Sequence, residues 1–305
     1  MKQFLIPLIL FLIINFNSTA QIEKLKADDI AKIKARQMIM VLREEDPELT
    51  ARYKKDHKKL ALYRKEIENY NERIQKVAPK FWKFNAVLFK SASEVTALRK
   101  SKNKEYAIAE FELKKVKEKP TLSSLPDPFK DDMVVPNLSV HLIEKPAAIL
   151  GAFQFMERSP TEAELAVALM QMQAAYITLE NGITPQNLRE QNAETLKTKI
   201  LVLDQFQFKA WISDHDIKKI YPYSYQKADK ATIEQLILEQ NPKYVILSIA
   251  PVVDEPMLMH SVVDLETGNT LSSVVPGAEG TGINARDSTY ITKESLFGYA
   301  NGVGP

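Results

Sequence analysis

Four histidines, at positions 57, 141, 215 and 260, and not one cysteine set the metal and nucleophile chemistry this chain can offer. Without a thiolate there is no cysteine nucleophile, no disulfide, no thiolate zinc site and no cysteine to carry a lipid. The histidines fall at none of the ligand spacings of a metal motif. His260 and Asp264 share a strand face, but four residues at about 3.3 Å each set them roughly 13 Å apart, too far for one ion without a chain reversal. The acidic residues Asp254, Glu255, Asp264 and Glu266 gather around calcium only if their loop folds back onto the following turn, and ordinary turn polarity is the better explanation. No metal and no cofactor are expected.

Serine motifs offer as little. "SKNK" from Ser101 and "SYQK" from Ser224 fit S-x-x-K, but neither has the companion motifs of that chemistry. "SDHD", residues 213–216, gathers a serine, a histidine and two aspartates at a helix start. Adjacent residues fan around a helix instead of converging, so this reads as a cap and not as a triad. With nine glycines and no G-x-S-x-G, phosphate loop or G-x-G-x-x-G, nucleotide-cradling loops are not expected either.

Two groups are better suited to binding than to catalysis. In "YPYSY", Tyr221, Tyr223 and Tyr225 alternate, so an extended chain places their rings on one face about 6.6 Å apart, a spacing that stacks sugar rings or peptide side chains. The competing reading packs them over a helix. Lys54, Lys55, Lys58 and Lys59 crowd a little over one helical turn of "YKKDHKKL". They belong to a wider asymmetry hidden by the formal charge of +2: residues 21–120 hold 26 Lys and Arg against 16 Asp and Glu, and residues 121–305 hold 14 against 23. The basic half suits an anionic envelope component or an acidic protein surface, unless the two halves simply face each other.

Nucleic acid is not the expected partner, because the chain reads as exported. In "MKQFLIPLILFLIINFNSTAQ" a lysine precedes a short apolar run, and Ser18 and Ala20 stand where a signal peptidase reads. Residues 1–20 are thus expected to be a signal peptide cleaved before Gln21, leaving a periplasmic or extracellular protein with no stable membrane anchor.

The elements positioning these residues are mixed. Residues 21–79 read as a basic helical hairpin: a helix through "IEKLKADDIAKIKARQMIMVLREE", then a second with Tyr53, Leu60, Ile67 and Ile74 alternating with Tyr63, Tyr70 and Val77, a coiled-coil seam over about 50–78 that ends before Pro79. Residues 80–150 read as a first α/β lobe and 197–275 as a second. Residues 151–196 read as connecting helices, with Ser159 as cap, Glu162 completing its box and Gly182 at the exit, and 276–305 as a loose tail. The fold class is therefore mixed α+β and α/β. Sliding residues 84–111 onto 222–249, an offset of 138, aligns Ser91 with Asp229, Asn103 with Asn241 and Tyr106 with Tyr244, and "SVHLIE" corresponds to "SVVDLE". An internal duplication would produce that pattern, and so would two independent units obeying the same packing rules.

The residues point to an exported envelope protein that works by binding. A periplasmic holdase chaperone is the alternative within that class. A hydrolase of envelope sugars or peptides, using Asp254, Asp264 and Glu266 beside the tyrosines, is the alternative outside it.

Overall fold

A computed structural model describes residues 25–115, 134–183, 185–209, 212–251, 258–276 and 290–301. The expected signal peptide lies outside them, and no helix among the described residues is long and apolar enough to cross a membrane. These residues form a mixed α/β protein with nine helices and two five-stranded mixed sheets.

The N-terminal hairpin is not there. After α1 (Ala27–Lys34) the chain enters a strand, β1 (Gln37–Leu42), hydrogen-bonded between two parallel neighbours. Its Met38, Ile39, Met40 and Val41 are all buried. A strand covered on both faces is a continuous apolar run with no alternation, which is why "QMIMVL" passes for a helix stripe. The second helix is two: α2 (Pro47–Tyr53), capped by Asp46, and α3 (His57–Phe81), capped by Asp56, whose carboxylate accepts from Lys59 N at 2.9 Å. Continuous coiled coil over 50–78 is thereby excluded. The seam residues Tyr63, Ile67, Tyr70, Ile74 and Val77 are nonetheless buried. The main helical partner of α3 is α5 (Glu162–Glu180). Pro79 fails to end α3, because Phe81 and Trp82 beyond it are buried and their burial outweighs one lost hydrogen bond.

In the first lobe, β2 (Val87–Ser91), α4 (Ala92–Lys100), β3 (Tyr106–Lys115), β4 (Val134–Leu142) and β5 (Gly151–Gln154) complete a sheet of order β2-β1-β3-β4-β5. In the second, α6 (Pro185–Thr198) leads into β6 (Ile200–Asp204), α7 (Asp214–Ile220), β7 (Tyr225–Ala228), α8 (Lys230–Glu239), β8 (Tyr244–Pro251), β9 (Leu258–Asp264) and β10 (Thr270–Val274), in the order β7-β6-β8-β9-β10. Relabelled within its lobe, each sheet runs 2-1-3-4-5, with the first strand parallel to both neighbours and the last two antiparallel.

The correspondence reaches individual hydrogen bonds. The pairs β2 and β7, α4 and α8, and β3 and β8 each start 138 residues apart. Among the described residues only Lys102 (φ 53°) and Gln240 (φ 51°) are non-glycine residues with positive φ, and they too differ by 138. Both sit in the turn after the second crossover helix, where Asn103 N donates to Leu98 O (3.3 Å) and Asn241 N to Leu236 O (3.4 Å), the longer of the two bonds that close a left-handed helix end. Asn103 Oδ1 then accepts from Glu105 N, and Asn241 Oδ1 from Lys243 N. An ion pair recurs as well: Arg36, one residue before β1, binds Glu144 at 2.6 Å, and Lys199, one residue before β6, binds Glu266 at 2.9 Å.

The lobes share a core. Helix α5 has no polar stripe; Leu165, Ala166, Val167, Ala168, Leu169, Met170, Met172 and Tyr176 are all buried, as expected for a helix enclosed on every side. It packs against α1 and α3 in lobe 1 and α8 in lobe 2. It is therefore core and not a connector, just as β5 belongs to the first sheet. Its cap is Thr161 with Glu164, not Ser159 with Glu162, because Arg73 Nη1 donates to Ser159 O and Pro160 O and holds those residues outside the helix. Within the expected tail, α9 (Lys293–Ala300) buries Leu296 and Tyr299 against lobe 2, while residues 277–289 lie outside the described ones.

Candidate functional site

In an open sheet of order 2-1-3 the crossovers leave the first strand on opposite faces, which opens a crevice at the carboxyl ends of the first and third strands. Both lobes have it. In lobe 1 an open cleft of about 980 Å³ is lined by residues 41–45 at the end of β1, residues 110–113 of β3, Ser93 and Thr96 of α4, and Arg158. The corresponding crevice in lobe 2 is narrower, about 310 Å³, because the β5–α5 junction of lobe 1 closes over it.

Most acids of the lobe 1 cleft are already used by the fold. Glu44 accepts from Ser93 N (2.8 Å), Glu45 is held by Arg64 (2.8 Å), Asp46 caps α2, and Glu110 binds Arg99 (2.6 Å). Burial, reinforced by Glu110, raises the pKa of Glu112. The cations differ. Each has one buried guanidinium nitrogen with no hydrogen-bond partner, Nη2 of Arg158 and Nη1 of Arg43, but Arg158 is engaged by Glu66 at 3.2 Å. In the lobe 2 crevice Glu164 is raised by burial, and Glu234 and Glu157 push it the same way against Lys230.

One pair has the hydrogen bond of a nucleophile and its base. Ala148 O can only accept, so His141 carries its proton on Nδ1 (3.2 Å) and its Nε2 accepts from Ser139 Oγ (2.7 Å). Burial lowers the His141 pKa, in keeping with the neutral ring. Yet Ser139 is wholly buried, so no substrate reaches it and the pair satisfies itself within the sheet. Its signal in the sequence is the i, i+2 spacing in "SVH", which places both side chains on one strand face. His260 is likewise internal, hydrogen-bonded to the Tyr299 hydroxyl.

The residues singled out from sequence fall as follows. Lys54 ends α2, Lys55 lies in the break, and Lys58 and Lys59 open α3, so the four straddle two helices at one tip. Lys54, Lys55 and Lys58 are exposed, and Lys59 lies 4.8 Å from the Tyr53 ring centre. The tyrosines form no extended row. Tyr221 is fully buried at the end of α7, Tyr223 meets it edge-on (5.4 Å), and Tyr225 opens β7 and donates to Asp214 O. The packing reading holds, because α7 and α9 need apolar cover on that face. Ser213 caps α7 with Asp216, as expected of "SDHD". Asp264 and Glu266 are both bound to Lys199. Asp254 and Glu255 lie outside the described residues, and no metal-ligand cluster occurs among the described ones.

Compared with protein-family models, curated proteins and solved structures, the chain matches none of them.

Proposed function

We propose that this chain is an exported binding protein built from two copies of one α/β unit, which engages an anionic envelope polymer or an acidic protein surface through the tip that carries Lys54, Lys55, Lys58 and Lys59. One observation carries the reading. Several cations of the basic half are used against the acidic half, Lys34 on Glu180, Arg36 on Glu144 and Lys76 on Glu162. Lys54, Lys55 and Lys58 are exposed and form no ion pair among the described residues. Facing halves thus account for part of the charge asymmetry and leave the tip available to a partner. The shared 2-1-3-4-5 order, the paired left-handed turns and the recurring ion pair support duplication of the unit.

The test is retention of the full chain on immobilised polyphosphate and polyglutamate at two salt concentrations. Salt-sensitive retention on either supports the reading; passage through both at low salt ends it. The holdase alternative is favoured by one observation, the exposure of Phe206 (76%) and Phe297 (64%). Suppression of aggregation of a reduced client, unaffected by charge reversal at the tip, would select it instead.

A further inference from the structure

The lobe 1 cleft contains a guanidinium that forms no ion pair among the described residues. Arg43 follows the last residue of β1, and a single side chain clamps its main chain: Asn71 Oδ1 accepts from Arg43 N at 2.8 Å and Asn71 Nδ2 donates to Arg43 O at 3.0 Å. The guanidinium carbon lies 4.9 Å from the ring centre of Phe111 and 5.9 Å from that of Tyr70. Nη1 is buried without a partner, and so is the Tyr70 hydroxyl. The carboxylate acting most strongly on Arg43, Glu66, is bound to Arg158.

A buried guanidinium nitrogen donating no hydrogen bond is costly, and such an atom points to a group outside the fold that completes it. A guanidinium stacked on aromatic rings has its orientation fixed, and its planar fork fits the two oxygens of a carboxylate or phosphate. The fold itself does not require a cation here: the corresponding position of lobe 2, in the register that aligns Arg36 with Lys199, is the exposed Phe206.

We propose that Arg43 is an anion seat in the lobe 1 cleft, taking one carboxylate or phosphate group of a small ligand. A polyanion is disfavoured, because Glu44, Glu48 and Glu112 also line the cleft. This site is separate from the lysine tip and does not rest on it.

The experiment follows the arginine Nε–Hε signals of the full chain by nuclear magnetic resonance. Sodium acetate and sodium phosphate are titrated separately against sodium chloride at constant ionic strength, with the Arg43 signal assigned by its loss in R43Q. The expected result is a saturable shift of that signal with at least one anion; because R43K has no such signal, it is compared with the wild type by the anion-dependent rise in melting temperature, which should need about tenfold more anion or more in R43K, a variant that keeps the charge and loses the fork. Response to acetate alone identifies a carboxylate ligand, and response to phosphate alone a phosphorylated one. A variant with Lys54, Lys55 and Lys58 reversed to Glu retains the shift. Should R43Q fail to fold, the wild-type melting temperature serves instead: acetate or phosphate raises it above the chloride control. No saturable shift and no rise in melting temperature with either anion, or unchanged affinity in R43K, overturns the proposal.

Discussion

Glu144→Gln removes the charge from the ion pair that ties the residue before β1 to the residue after Ile143, beyond the end of β4. The pair is bidentate, Arg36 Nη1 and Nη2 reaching the two Glu144 oxygens at 2.7 and 2.6 Å. The Arg36 hydrogen bonds hold the Glu144 carboxyl at about 2, against an ordinary 4.5. By linkage that displacement corresponds to about 3 kcal/mol, and screening at a partly exposed carboxylate reduces it to about 1 to 2 kcal/mol. The sign is fixed by the depressed value. The contribution is present in full above about pH 4.5 and fades as pH falls toward about 2, so E144Q is destabilised at pH 7 and approaches the wild type in acid. Urea unfolding of both proteins from pH 7 down to about pH 3 reads it, with Glu68→Gln as control because the Lys65–Glu68 pair is exposed on both sides and is worth under about 0.5 kcal/mol. An E144Q protein as stable as the control at pH 7, or a difference that does not narrow in acid, would refute the reasoning.

Other consequences follow from the packing. Asp264→Asn leaves Lys199 with only the exposed Glu266 as an anionic partner and is expected to cost about 1.5 to 3 kcal/mol, the worth of a hydrogen bond to a charged group; a smaller loss than that of E144Q in the same urea series would contradict the burial argument. Ile74→Ala, at a fully buried seam position, should cost about 2 to 5 kcal/mol and lower hydrogen-exchange protection in both α3 and α5, whereas Lys58→Ala should do neither. Gly268→Ala meets two obstacles, a φ of +76° and a Cβ site 2.5 Å from Met170 O, while Gly182→Ala meets only its φ of +61° with open space around it. Thermal unfolding should therefore show the larger loss at position 268. For export, mass spectrometry of the protein released by a secreting host should find Gln21 at the N-terminus, and an intact Met1 would count against it.

Local signals were legible wherever the residue type leaves few choices. Ser91 with Glu94, Asp46 before Pro47 and Asp229 cap helices as their sequences state, and Gly268 turns the final hairpin. The offset of 138 was legible too, because caps, apolar register and turn asparagines all moved together. What failed was tertiary. Nothing in "QMIMVL" separates a doubly covered strand from one flank of a helix until two parallel neighbours exist to cover it. Asp56 reads as a polar interruption of a seam, but it is a cap, and this splits the lysine cluster between two helices. Tyr221, Tyr223 and Tyr225 alternate on paper, but β7 begins only at Tyr225, so the alternation has no strand to act on. Arg43 carried no signal, since its distinction lies in what it lacks, and that is visible only once Asn71, Phe111 and Tyr70 converge on it from distant segments.

The proposed binding role rests on the tip, and the most direct measurement reverses its charge. The variant carries Lys54→Glu, Lys55→Glu and Lys58→Glu and keeps Lys59, whose ammonium packs over Tyr53. Wild type and variant are applied to immobilised polyphosphate and polyglutamate at about 50 and about 200 mM salt, over which the screening length shortens from about 14 to about 7 Å. The wild type should be retained at the lower concentration and released at the higher, and the variant retained at neither. Equal retention of the two proteins, or of neither at low salt, would contradict the assignment of the tip as the contact surface.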